Sequence, residues 1–123
     1  MNENTLAKTL TILEELIGFD TVALTPNLDL INYAEKYLSD LGARIILTHS
    51  SDGERANLFA SFGPAIDGGI VLSGHSDVVP VNAADWVTPP FQADQRDGCI
   101  FGRGTADMKG FIACVLAMAP WFA

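Results

Sequence analysis

The chain is poor in basic residues, cysteine and histidine, and each scarcity closes off a class of function. Only 7 of its 123 residues are Lys or Arg, against 15 Asp or Glu, for a formal net charge of -8. A phosphate backbone is neutralised by clustered Lys and Arg, so nucleic acid is excluded as a partner. The acidity suits solubility and attracts cations, but selects no activity by itself. Two cysteines, Cys99 and Cys114, are too few for a disulfide framework, and neither belongs to a Cys-x-x-Cys pair. They read as buried thiols in a reducing compartment.

Long apolar runs are missing too. The longest, Phe111 to Ala123, is broken by Pro120 and falls short of the ~20 residues that a spanning helix needs. No membrane partner is expected. The opening residues Met1-Asn2-Glu3-Asn4 are acidic and polar, not basic ahead of an apolar stretch, so no signal peptide is read and a cytoplasmic location is expected. Apolar residues are plentiful at 49%, which excludes disorder as a global description and suffices for one modest core.

Periodicity orders the chain. Leu6, Leu10, Leu13 and Ile17 recur at helical spacing and predict an amphipathic helix from near Asn4 to Gly18. A second helix follows Pro26, with Asn27 as N-cap, Ile31, Ala34, Leu38 and Leu41 as its buried stripe, and Gly42 as its stop. Arg44–Thr48 and Ala56–Phe62 read as strands, the second with Leu58, Ala60 and Phe62 on one face. Ile70–Ser73 is a short, fully apolar run, as expected of a strand in the middle of a covered sheet. A long loop spans Gly74 to Pro90. Two short strands at 91–93 and 99–101 flank the turn Asp97-Gly98. A last helix starts near Asp107 and is apolar almost all round, so it needs covering on every face. Helices layered on strands predict an α/β fold, with 1–123 as one unit.

Two clusters carry chemistry. The first is Ser73-Gly74-His75-Ser76-Asp77-Val78-Val79-Pro80. His75 follows an apolar strand, and ligands of α/β sheets sit beyond the carboxyl ends of strands. His75 and Asp77 are two residues apart, so in an extended segment they point the same way. A carboxylate beside an imidazole fixes its tautomer and strengthens it as a metal ligand. Taken alone, this short pattern reads as an ordinary loop histidine. The second cluster is Gly102-Arg103-Gly104-Thr105-Ala106-Asp107-Met108-Lys109-Gly110. Asp107 sits at the start of the last helix, where a carboxylate bridges cations or simply caps the helix. The glycine spacing does not make a phosphate loop.

Together the clusters point further. Gly-His-Ser-Asp-Val-Val-Pro, then Trp86, Pro89-Pro90-Phe91 and Asp97-Gly98, then Gly-Arg-Gly-Thr-Ala-Asp-Met-Lys-Gly, resembles the M20 family of zinc-dependent amidohydrolases and peptidases along essentially the whole chain. Within it, Gly104 to Phe111 and Asn57-Leu58-Phe59-Ala60 resemble the acetylornithine deacetylase branch. The desuccinylase branch more often has Ala after Gly-Arg-Gly.

The resemblance implies the N-terminal part of an α/β/α catalytic domain with a mixed sheet and flanking helices. It implies His75 as ligand to one metal ion, Asp107 as bridge between two, and Asp77 as the catalytic-site carboxylate that orients His75. A cis peptide after Asp107 is implied as well. The ions would be Zn2+, with Co2+ or Mn2+ possible. The implied reaction is hydrolysis of an N-acyl amino acid, N-acetyl-L-ornithine yielding ornithine and acetate in arginine biosynthesis, by a homodimer. Desuccinylase or aminoacylase activity, and a non-catalytic α/β interaction module, are the alternatives. The family's general base belongs to a Glu-Glu pair downstream of these motifs. Glu14-Glu15 lies upstream on a helix and reads as a solvated face, and His49 reads as a surface residue. The chain is therefore expected to be a fragment that alone binds metal weakly and turns over no substrate.

Overall fold

The computed structural model describes residues 3–123. Helix α1 spans Glu3–Gly18 and helix α2 spans Leu28–Asp40. Strands β1, Arg44–His49, and β2, Ala56–Ser61, form an antiparallel hairpin in which Ile46 faces Phe59. Strands β3, Asp94–Arg96, and β4, Cys99–Phe101, form a second hairpin, closed by Asp97 and Gly98 at φ 53° and 75°. Positive φ at both turn residues is the two-residue geometry that an Asp-Gly pair favours. Helix α3 spans Lys109–Met118, and a single 3-10 turn containing Pro120 follows it. A parallel bridge joins Val22 to Val78. The architecture is mixed α/β.

The core lies where α1 meets α3, with α2 and the first hairpin closing its side. Ile12, Leu13, Leu16 and Ile17 of α1 pack with Ala113, Leu116 and Ala117 of α3 and with Leu30, Ile31 and Leu38 of α2. Burying each large aliphatic side chain contributes about 1.5–3 kcal/mol. The buried stripe of α1 differs from the expected one. Thr5 and Thr9 are buried while Leu6 is half exposed. The Thr9 hydroxyl donates to the Thr5 carbonyl at 2.9 Å. That internal bond lets a polar residue face the core.

Three further expectations need correction. Ile70–Ser73 is not a strand: Ile70 and Val71 are exposed, and the run joins no ladder among the described residues. A central strand needs a hydrogen-bonded neighbour along each edge, and among the described residues the two hairpins pair only within themselves. The strand expected at 91–93 lies at Asp94–Arg96, its register set by the turn. Both cysteines are exposed. Cys114 sits one residue, or about 100°, round the helix from buried Ala113, and Cys99 lies on the outer side of β4. Helix α3 likewise covers only one face. Cys114 and Phe111 are exposed, as are Trp121 and Phe122 beyond it. No described helix is long and apolar enough to cross a membrane.

Two polar side chains tie elements together. Asn27 precedes α2 but makes no side-chain cap bond. Its amide instead accepts from the Ala56 amide at 2.9 Å and donates to the Ala56 carbonyl at 3.1 Å, pinning α2 to β2. Lys109, fully buried at the start of α3, donates from Nζ to the Phe19 carbonyl at 2.7 Å, just past the end of α1. A cation there meets the favourable end of the α1 dipole.

Burial pushes the Lys109 pKa down from 10.5 to about 8, with the Asp20 carboxylate opposing part of the fall. Between those values the unfolded chain holds a proton that the folded chain has released, so folding stability rises with pH across that window. Below the folded value the cost of the buried ammonium is fully present. Denaturant unfolding of the wild type and Lys109→Met across that pH range checks this. The wild type should gain stability relative to the variant as pH rises, and a constant difference contradicts it.

Candidate metal centre

The site forms where two loops meet. The first, Gly74–Pro80, is positioned by the parallel bridge: Val78 N–H donates to the Thr21 carbonyl and Ala23 N–H to the Val78 carbonyl, each at 2.9 Å. Val78 is buried, so the loop is anchored at its far end while His75 and Asp77 stay accessible. The second loop, Gly102–Met108, folds back on itself. Thr105 N–H and its hydroxyl both reach the Gly102 carbonyl, and Lys109 N–H donates to the Gly104 carbonyl at 2.8 Å. Gly104 has φ +93°, and a Cβ there would stand 2.9 Å from Val78 Cγ1 and 3.1 Å from Lys109 Cδ. Only glycine lets the two loops approach so closely.

All three predicted site residues come together. His75 Nε2 lies 3.0 Å from Asp107 Oδ1. His75 Nδ1 lies 3.0 Å from the Asp77 carbonyl oxygen and 3.2 Å from Asp77 Oδ1. Asp107 does not cap α3, whose N-cap is Met108 with no side-chain cap bond. The Asp107–Met108 peptide is cis. The three side chains line a cleft of about 280 Å³ together with Ala23, Arg103 and Thr105. His49 is exposed at the end of β1, and Glu14 and Glu15 are exposed on α1, away from the cleft lining.

Both imidazole nitrogens therefore face oxygen acceptors. With a neutral ring, Nδ1–H donates to Asp77 and leaves the Nε2 lone pair facing a carboxylate. A proton relieves that opposition, and so does a cation. The hydrogen bond to the Asp77 carbonyl is the largest effect and raises the His75 pKa above its ordinary 6.5; burial comes next and opposes it, and the Asp107 and Asp77 carboxylates add to the rise. An imidazole nitrogen and a carboxylate oxygen on one side of a cleft, with the second ring nitrogen fixed, are a donor set that suits zinc or a similar divalent ion. Two donors are fewer than the three protein ligands usual at catalytic zinc. Among the described residues no group of three His, Cys, Asp or Glu side chains is arranged to hold an ion.

The sequence reading passed over Arg103, whose guanidinium lies 5.3 Å from the centre of the Trp86 ring while its amide donates to the Pro90 carbonyl at 2.7 Å. Its buried Nε has no partner. This stack clips the 80–90 loop to the cleft. Thr21 was also missed, since nothing in its local pattern marks it. Lys109 did leave a signal: a lysine at the N-terminus of an apolar helix opposes that helix's own dipole.

The chain is similar to several known proteins. The profile of Peptidase family M20/M25/M40 matches residues 71–123, which include both loops. A succinyl-diaminopimelate desuccinylase of Legionella pneumophila (strain Lens) is 40% identical over 113 residues, covering 90% of this chain and 29% of that protein. An acetylornithine deacetylase of Pasteurella multocida (strain Pm70) is 40% identical over 91 residues, covering 73% of this chain and 24% of that protein. The structure of human carnosine dipeptidase 1 superposes with TM-score 0.77 at 22% identity, over 97% of this chain and 30% of that one, a likeness of fold. Residues 71–123 thus carry the match to the M20 peptidase family. The chain spans under a third of the length of these relatives.

In a metal-free sample held with a chelator, the His75 ring should titrate above 6.5 by NMR, and Asp107→Asn should move it downward. A divalent ion must displace that proton, so its affinity should rise with pH through the same range. Unchanged titration in Asp107→Asn contradicts the pairing.

Proposed function

We propose that this chain supplies the histidine–carboxylate half of a two-cation centre for amide hydrolysis. The observation that carries the reading is the 3.0 Å approach of His75 Nε2 to Asp107 Oδ1 at an open cleft, from loops 32 residues apart in sequence. His75 would hold one ion through Nε2, and Asp107 would offer its two oxygens to two ions. Asp77 would hold the ring through Nδ1, fixing the tautomer and raising ligand basicity. Bound divalent ions supply Lewis acidity, lowering the pKa of water toward ~7 and polarising an amide carbonyl. Arg103 also lines the cleft and suits an anionic substrate.

The substrate class is an N-acyl amino acid. Within it we favour N-acetyl-L-ornithine, hydrolysed to ornithine and acetate, because Thr105 and Phe111 match that branch of the family. Hydrolysis of N-succinyl-diaminopimelate is the second reading, favoured by the desuccinylase relatives at equal identity over a longer stretch. A zinc-supported, homodimeric cytoplasmic enzyme of amino-acid biosynthesis is the setting that this reading implies.

The test compares both substrates on the gene product that carries this chain. N-acetyl-L-ornithine should be hydrolysed faster, activity should vanish with a chelator and return with Zn2+, and His75→Ala or Asp107→Ala should lower it by about 10²-fold or more. Preference for the succinyl substrate would support the second reading. Chelator-resistant hydrolysis would contradict metal dependence.

A further inference from the structure

The segment Phe19–Ala23, between α1 and α2, touches both loops of the candidate centre through two buried polar side chains. The Thr21 side chain donates from Oγ1 to the Ser76 carbonyl at 2.6 Å, and Thr21 is 3% exposed. Ser76 lies between His75 and Asp77. The Val78 carbonyl accepts from Ala23 N–H, so the carbonyls of residues 76 and 78 are both held by this segment. The carbonyl between them, that of Asp77, is the one that meets His75 Nδ1. Successive carbonyls of an extended chain point to opposite sides. Fixing 76 and 78 on one side therefore aims 77 at the imidazole.

The same segment reaches the other loop. Lys109 Nζ donates to the Phe19 carbonyl, which also accepts from Thr21 N–H at 3.0 Å. Lys109 is two residues beyond Asp107, and its own N–H closes the loop onto Gly104. Gly104 packs against the side chains of both Val78 and Lys109, with no room for a Cβ. Thr21, Phe19 and Lys109 thus form a continuous polar path from the peptide beside His75 to the turn that carries Asp107.

We propose that Thr21 and Lys109 are positioning residues for the cation site: by anchoring both loops to Phe19–Ala23 they set the separation and aim of His75 and Asp107. This rests on the metal reading of the centre. Partners that orient a metal ligand typically change metal affinity by about 10–100-fold when removed. Thr21→Val removes the hydroxyl and keeps the branched shape, whereas Thr21→Ser keeps the hydroxyl. Lys109→Met removes the ammonium and keeps most of the stem.

The experiment is a Zn2+ titration of the metal-free chain at fixed pH, read at the ring nitrogens of histidine by NMR. His49, exposed at the end of β1, is an internal reference. Zn2+ should shift the His75 ring signals and leave those of His49 in place. Thr21→Val should weaken Zn2+ binding at His75 by roughly ten-fold or more and move the free-state Nδ1 signal, with hairpin β1–β2 amide signals unchanged, while Thr21→Ser stays within about threefold of wild type. Should Thr21→Val not fold, Lys109→Met carries the test with the same expected weakening. Variants that bind Zn2+ like the wild type overturn the positioning role and leave the metal reading intact. A wild-type His75 that ignores Zn2+, or a His75→Ala chain that binds it equally well, overturns the metal reading itself.

Discussion

The approach of His75 to Asp107 is the contact around which the chemistry of this chain is arranged, and it contributes little to holding the chain together. Both side chains are substantially exposed, and an exposed ion pair contributes about 0–1 kcal/mol. A single large aliphatic side chain at the α1–α3 interface contributes more. The causal order therefore runs from core to site. The packing of Ile12, Leu16 and Ile17 against Ala113, Leu116 and Ala117 sets where α3 begins relative to the end of α1. Lys109 converts that placement into a fixed origin for the Asp107 turn. The bridge from Val22 to Val78 does the same for the loop that carries His75.

Buried polar groups mark this path because each is costly unless partnered. Lys109 and Thr21 are buried and satisfied by carbonyls of other segments. Such bonds specify geometry more sharply than apolar contacts do, since a carbonyl accepts from a limited set of directions. The three site residues, by contrast, stay open to solvent, as groups that exchange protons or ions must. Rigid, buried anchors beneath accessible side chains are the arrangement that a metal site would require.

Much of this was legible in the chain itself, for identifiable reasons. Helix α2 and the turn of hairpin β3–β4 announce themselves through local rules, Gly42 with φ +85° and Asp97-Gly98 at a two-residue turn. His75, Asp77 and Asp107 stood out because the two motif blocks occur in order, and the structure brings them into one cleft. Other features depend on partners distant in sequence and left no local trace. The burial of Thr5 and Thr9 on α1, with Leu6 half exposed, is one such feature. Ile70–Ser73 has the composition of a covered strand, yet joins no ladder among the described residues. Thr21 looks like any residue in a short connection until Ser76 is seen beside it, 55 positions away. The two named relatives do not separate acetyl from succinyl substrates either, because a desuccinylase and a deacetylase share the same 40% identity with this chain.

The central claim is that one divalent ion sits between the imidazole and the carboxylate. Anomalous diffraction at the zinc edge, on crystals of the gene product grown with Zn2+, addresses it directly. The account predicts a peak about 2.0–2.2 Å from both His75 Nε2 and an Asp107 oxygen. A peak bound elsewhere, with His75 and Asp107 still hydrogen-bonded to each other, would contradict it.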